Sequence, residues 1–101
     1  MIEAVDETSD KYSIGVDSDQ CDLSSRMAAS MLKKVDEAVS MSIADVIEGN
    51  WSVGVMVLGI AENGIGICEH LDRFLSASQI AEIEALKAEI AAGTIVVPVP
   101  P

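Results

Sequence analysis

With 101 residues, half of them hydrophobic, the chain fits a single domain spanning 1–101, has no room for two, and is too apolar to stay disordered. Seventeen Asp and Glu against six Lys and Arg set a formal net charge of −11. Such a surface repels phosphate backbones and anionic lipid, so nucleic acid is not an expected partner. The aromatics are only Tyr12, Trp51 and Phe74, which leaves an aliphatic core of Val, Ile, Leu, Ala and Met.

The first residues, Met1 to Glu7, are acidic and carry no apolar signal-peptide core. No apolar run reaches the ~18 residues a membrane helix needs. Taken as written, the chain is therefore expected in the cytoplasm without direct membrane insertion. Residues 2–9 read as a short helix. Tyr12 to Val16 alternates like a strand and stops at the polar run Asp17-Ser18-Asp19-Gln20. Met27, Met31, Val35, Val39, Ile43 and Val46/Ile47 recur at helical spacing. This predicts one long helix from about Ser24 to Glu48, closed by a left-handed cap at Gly49-Asn50.

Val53–Ile60 and Ile65–Cys68 are β-branched, apolar runs joined through Asn63-Gly64, a pair that tolerates the positive φ of a tight turn. A β-hairpin is predicted there. Ser76 and Gln79 have capping-box spacing at the head of a second helix, whose apolar stripe is Ile80, Ile83, Leu86 and Ile90 and whose stop is Gly93. Thr94–Val97 reads as a last short strand that Pro98, Pro100 and Pro101 end. The sum is an α/β fold: a small sheet, a long helix packed on it, a β-hairpin and a C-terminal helix.

Catalytic chemistry is weakly provided for. The single histidine follows Cys68 as Cys68-Glu69-His70, a spacing that puts thiol and imidazole on one side of a strand, but nothing nearby reads as an oxyanion hole. Neither an enzyme nor a catalytic residue is expected. Two cysteines define no disulfide framework, and Cys21 and Cys68 read as reduced, buried thiols. Zinc needs about four N or S ligands and the chain offers three at most, so neither metal nor cofactor is expected.

The Gly59–Gly66 stretch departs from the phosphate-binding glycine order and opens no helix. Asp17-Ser18-Asp19 follows a strand directly, where ligands of open α/β sheets sit, and an Asp there suits sugar hydroxyls. A solvated turn that caps a helix is an equally good reading from position alone. Lys33 lies at the flank of the predicted helix, where a snorkelling stem competes with a ligand contact.

Four blocks in order carry a family resemblance. Tyr12-Ser13-Ile14-Gly15-Val16-Asp17-Ser18-Asp19-Gln20 resembles the "IGVDxDQ" segment of the basic membrane lipoprotein family, nucleoside-binding proteins of ABC transporters. Ser30 to Val39 is similar to the family's "SxxKxVDxAV" helix. Gly49-Asn50-Trp51 with Gly59 to Ile67 is similar to its "GxW…GLxxGGVGL" hairpin, and Glu84 to Pro98 to its closing "ELKxxIxxGxIxVP". Val53 departs from the pattern, which often has Gly there.

The resemblance implies a partial C-terminal lobe of a type I periplasmic-binding-protein fold. It further implies a purine-nucleoside ligand, with Asp17 binding the ribose hydroxyls and Lys33 adding a polar contact to the sugar. Full-length members are exported lipoproteins with a second, base-stacking lobe, so a lone lobe should bind nucleoside weakly. A lobe with uncovered strands should also pair with itself as a homodimer.

Overall fold

The computed structural model describes residues 2–98. A short helix α1 (Ile2–Asp6) precedes β1 (Ser13–Asp17) and β2 (Met27–Lys33), which pair in parallel. Helix α2 (Val35–Glu48) follows, then β3 (Ile65–Ile67), a single 3-10 turn at Leu71–Arg73, and α3 (Ala77–Ala91). The sheet order is β1-β2-β3, with β3 antiparallel to β2 in the register Met31↔Ile67, Leu32↔Gly66 and Lys33↔Ile65. The fold class is the expected one: a small sheet with helices.

The predicted helix from Ser24 divides in two. Met27–Lys33 is the central strand, and the helix begins only at Val35. Met27 and Met31 do fall four apart, but Met27 and Ser30 are buried, and β1 pairs with Met27 and with Ala29 to Leu32, the register shifting at Ala28. Pairing with a strand distant in sequence overrides local propensity here. The C-terminal end is as expected, since Gly49 adopts φ 76° and its N–H closes onto the last turn.

The predicted hairpin also changes partner. Residues 59–64 do form a tight loop, in which Gly64 N–H donates to Gly59 O at 2.8 Å and Asn63 takes φ 59°. Gly64 lies so close to Leu58 that a Cβ would sit 2.8 Å from the Leu58 carbonyl oxygen. Yet β3 pairs with β2, and residues 53–58 join no strand. The predicted strand Thr94–Val97 is likewise absent: residues 94–95 are a bend and 96–98 are irregular. The part of that reading on Val99–Pro101 lies outside the described residues.

The core is small and sits at one end. Cys21, Cys68 and Leu71 form a buried cluster against which Ala29, Ile67, Leu75, Ile80 and Ile83 pack. Through Ile80 and Ile83, α3 packs on that cluster. Its capping box forms as expected: the Ser76 side chain accepts from the Gln79 amide, and Gln79 reaches back to the Ser76 amide at 2.9 Å. Helix α2, expected to pack on the sheet, lies largely off it. The radius of gyration is 16.7 Å, against about 13 Å for a compact chain of this length.

Candidate functional site

Asp17 and Lys33 are the last residues of β1 and β2. Because these strands run parallel and adjacent, both side chains emerge at the same sheet end. That carboxyl edge is where open α/β sheets place ligands. Lys33 Nζ lies 2.6 Å from Asp17 Oδ1, and both side chains are more than half exposed. The expected site residues are thus brought together, although Asp17 was read as the first residue of a polar loop after the strand and Lys33 as helix flank.

The backbone at Asp17 is held in an uncommon conformation. Its φ is 75°, the left-handed region that a non-glycine residue enters at a cost, and such residues gather at functional sites. The loop that follows is fixed from beneath by Ser30, whose side chain is fully buried. Ser30 Oγ donates to Ser18 O at 2.8 Å and accepts from Gln20 N–H at 3.3 Å. Cys21 N–H donates to Asp19 Oδ1 at 3.0 Å, and Arg73 Nη1 donates to Cys21 O at 2.9 Å.

The loop is also tied covalently, by a disulfide between Cys21 and Cys68. This corrects the expectation of two reduced thiols. Sequence spacing carries no pairing signal over a separation of 47 residues; only the docking of β3 beside β2 brings the cysteines together. The disulfide also removes the thiol from the Cys68-Glu69-His70 arrangement. His70 caps the 3-10 turn rather than sharing a strand with Cys68, and its Nε2 lies 3.6 Å from Asp22 Oδ1.

Two cavities adjoin this end of the molecule. One, of about 330 Å³, has Lys33 on its wall together with Met31, Met56, Leu58 and Ile65, an apolar surface beside the ion pair. The other, of about 390 Å³, is polar and is lined by Asp19, Lys34, Asn63, Cys68, His70 and Lys87 among others. Lys34 Nζ donates to Asn63 Oδ1 at 2.6 Å and Asn63 Nδ2 to Glu37 Oε1 at 2.9 Å, which pins the 59–64 loop to the head of α2. Ser30 and the disulfide are the site-supporting groups that sequence reasoning missed. The signal for Ser30 was faint: a small polar residue inside an apolar run.

Residues 1–100 match the family described as "Bmp: ABC transporter substrate-binding protein PnrA-like". The chain belongs to this family. It is also similar to a crystal structure of ABC transporter system solute-binding proteins from Aeropyrum pernix K1, at 27% identity and a TM-score of 0.72. That superposition covers 97% of this chain and 35% of the other, so the chain spans about a third of that relative's length. No curated protein sequence matches. The fold is accordingly a partial lobe of an ABC solute-binding protein. The family is one of binding proteins rather than an enzyme class, and among the described residues no helix is long and apolar enough to cross a membrane.

Proposed function

We propose that the chain supplies the sugar-facing half of a purine-nucleoside site in an ABC-transporter substrate-binding protein. The observation that carries this reading is the convergence of Asp17 and Lys33 at the carboxyl ends of adjacent parallel strands, 2.6 Å apart. A carboxylate already held by an ammonium is ready to accept from a pair of vicinal hydroxyls, while the ammonium donates to an ether or hydroxyl oxygen. The apolar wall of Met31, Met56 and Leu58 beside Lys33 suits the flat face of a base or sugar.

Tight small-molecule sites bury about 70–90% of their ligand, and an open half-site does not, so millimolar affinity or weaker is expected. Chemical-shift perturbation with adenosine and guanosine tests it: shifts centred on residues 15–20 and 31–34, lost in Asp17→Ala, are the expected result. Micromolar binding indifferent to Asp17→Ala would refute the assignment.

The chain acts by binding and not by turnover in this reading, because its one thiol–imidazole candidate is locked in the disulfide. The disulfide also favours an exported setting over the cytoplasm, since such bonds persist where the environment oxidises.

A second reading is supported by a separate observation. Val53, Val55 and Val57 are 97%, 93% and 82% exposed. They lie beside a groove of about 470 Å³ lined by Val39, Ile43, Val46, Ile47 and Trp51. An apolar surface of this kind wants a partner, and here the chain is a self-associating structural module that closes as a homodimer. Sedimentation at two ionic strengths decides. A dimer that strengthens with salt, as screening relieves the acidic repulsion, supports the module; a monomer at both removes it.

A further inference from the structure

We propose that the reduced chain binds one divalent transition-metal ion, zinc foremost, through Cys21, Cys68 and Asp19. The two sulfurs are bonded to each other in the oxidised chain, and a carboxylate oxygen of Asp19 lies within 4.8 Å of both, both cysteines being buried and Asp19 exposed. The earlier exclusion of zinc counted only N and S donors; a carboxylate oxygen serves as well, at about 2.0–2.2 Å from the ion. Donors reach this cluster from two remote segments that the fold fixes independently of the S–S bond. The Ser30 hydroxyl holds the Asp19 loop, and Cys68, next after β3, is held by its N–H donating to Ser30 O at 3.0 Å.

Three details suit a metal. Ser30 N–H donates to Cys68 Sγ at 3.2 Å in a buried position, an arrangement that stabilises a thiolate. Cys21 N–H donates to Asp19 Oδ1, which orients the carboxylate and leaves Oδ2 for an ion. Asp19 and Cys68 also line the polar 390 Å³ cavity, so water can reach the fourth position. The Cα atoms of Cys21 and Cys68 are 6.4 Å apart, a distance that two thiolates on one ion, each about 2.3 Å from it, span.

The chemistry balances as two steps. A phosphine gives up two electrons and takes the oxygen of one water to become phosphine oxide, or a dithiol gives up both its hydrogens to become a cyclic disulfide. In either case the S–S bond breaks and two thiols form, their protons coming from that water or that dithiol. The ion then displaces both thiol protons, and a Zn(SR)2 unit with Asp19 as third ligand forms. A two-electron oxidant, dissolved oxygen (reduced to peroxide) or a small-molecule disulfide (reduced to two thiols), re-forms the S–S bond from the two thiolates and releases the ion, so disulfide and metal are alternative occupants of one position.

The test uses the full chain, reduced by a phosphine, desalted without oxygen and titrated with Co2+, then with competing Zn2+. Expected are one ion per chain, a thiolate-to-cobalt charge-transfer band with tetrahedral visible bands, and displacement by Zn2+. Cys21→Ser should abolish the charge-transfer intensity of a two-thiolate site, and Asp19→Asn should weaken binding by about tenfold or more. The unreduced chain is the control and should bind nothing at these concentrations. Circular dichroism run alongside covers unfolding on reduction. Native signal retained or regained with metal supports the site, whereas cobalt binding to a chain that stays unfolded overturns it. So does equal uptake by the oxidised chain, by Cys21→Ser or by Asp19→Asn.

Discussion

Two halves of this molecule obey the same local rules and end in different states. In the half made of β1, β2, β3 and α3, each predicted boundary device acts against something. The Ser76 cap starts a helix whose Ile80 and Ile83 meet the Cys21–Cys68–Leu71 cluster, and the strand end at Asp17 is anchored by Ser30. In the half running from Val35 to Leu58, helix α2 has a sound C-cap and an apolar stripe, yet that stripe faces outward. Val35, Val39, Ile43 and Val46 are each more than half exposed, and the valines beyond Trp51 are almost wholly so. Propensity and capping suffice to draw a helix; a partner surface decides whether its apolar face is buried. Helices gain most of their stability in proteins from such packing, so the first half should hold the fold and the second should contribute little to it.

Removing the disulfide should give the largest effect on that contrast. Closing a loop across 47 residues reduces the entropy of the unfolded chain by an amount worth about 4 kcal/mol, on the loop-closure model. The double variant Cys21→Ala/Cys68→Ala should lose stability of that order in urea unfolding. A loss below about 1 kcal/mol would mean that the first half is not where the stability resides.

Gly15→Ala comes next. A Cβ at Gly15 would stand 2.5 Å from Ser30 Oγ and 2.9 Å from Gln20 Cβ, in the most tightly bonded corner of the molecule. Overpacking of this kind costs about 1–3 kcal/mol. The displaced Ser30 would also release the Asp17 loop, so nucleoside shifts at residues 17–20 should shrink along with the unfolding midpoint. Stability lost with those shifts intact would separate the loop from its support.

These cases mark what the sequence made legible. The Ser76 capping box, the Gly49 terminus and the turn at Asn63-Gly64 all rest on contacts within a few residues, and each is found where expected; the strand before Asp17 was marked by its alternation and its polar stop. The β2 strand was hidden because Met27–Lys33 has a helical rhythm and helix-tolerant residues; only its non-local ladder with β1 reveals it. The disulfide was hidden for the same reason, being a consequence of β3 docking. Asp17 and Lys33 were reached through motif resemblance, and position alone left both open. Their adjacency is again a product of strand pairing.

Asp17 yields a smaller and more diagnostic comparison. Its exposed ion pair with Lys33 is worth about 0–1 kcal/mol at most. Its left-handed backbone costs a side-chain-bearing residue about 1–2 kcal/mol, and glycine none. Asp17→Gly should therefore be near neutral in stability, while Asp17→Ala, which keeps the strain and loses the pair, should be less stable by about 1 kcal/mol. Both should lose nucleoside binding. If Gly and Ala variants unfold together, the strain is not set by the surrounding loop, and the case for a held site weakens.

The smallest expected effect belongs to the second half and is the sharpest test of the contrast. Ile47 is 79% exposed near the C-terminal end of α2. Isoleucine and serine have similar helix propensities, so Ile47→Ser should leave helix formation unaltered. Surface substitutions away from special features stay within about 0.5 kcal/mol, and that is the expected change in unfolding free energy for dilute protein. Burial in a packed core would instead make loss of the side chain cost about 2–5 kcal/mol. A loss of that size at every concentration would show that α2 folds back on the sheet in solution, and the division into two halves would fail. A loss that appears only as concentration rises would place Ile47 in the contact of a second copy, with Trp51 beside it in the same groove. Unfolding curves at several protein concentrations, read with and without the substitution, distinguish the three.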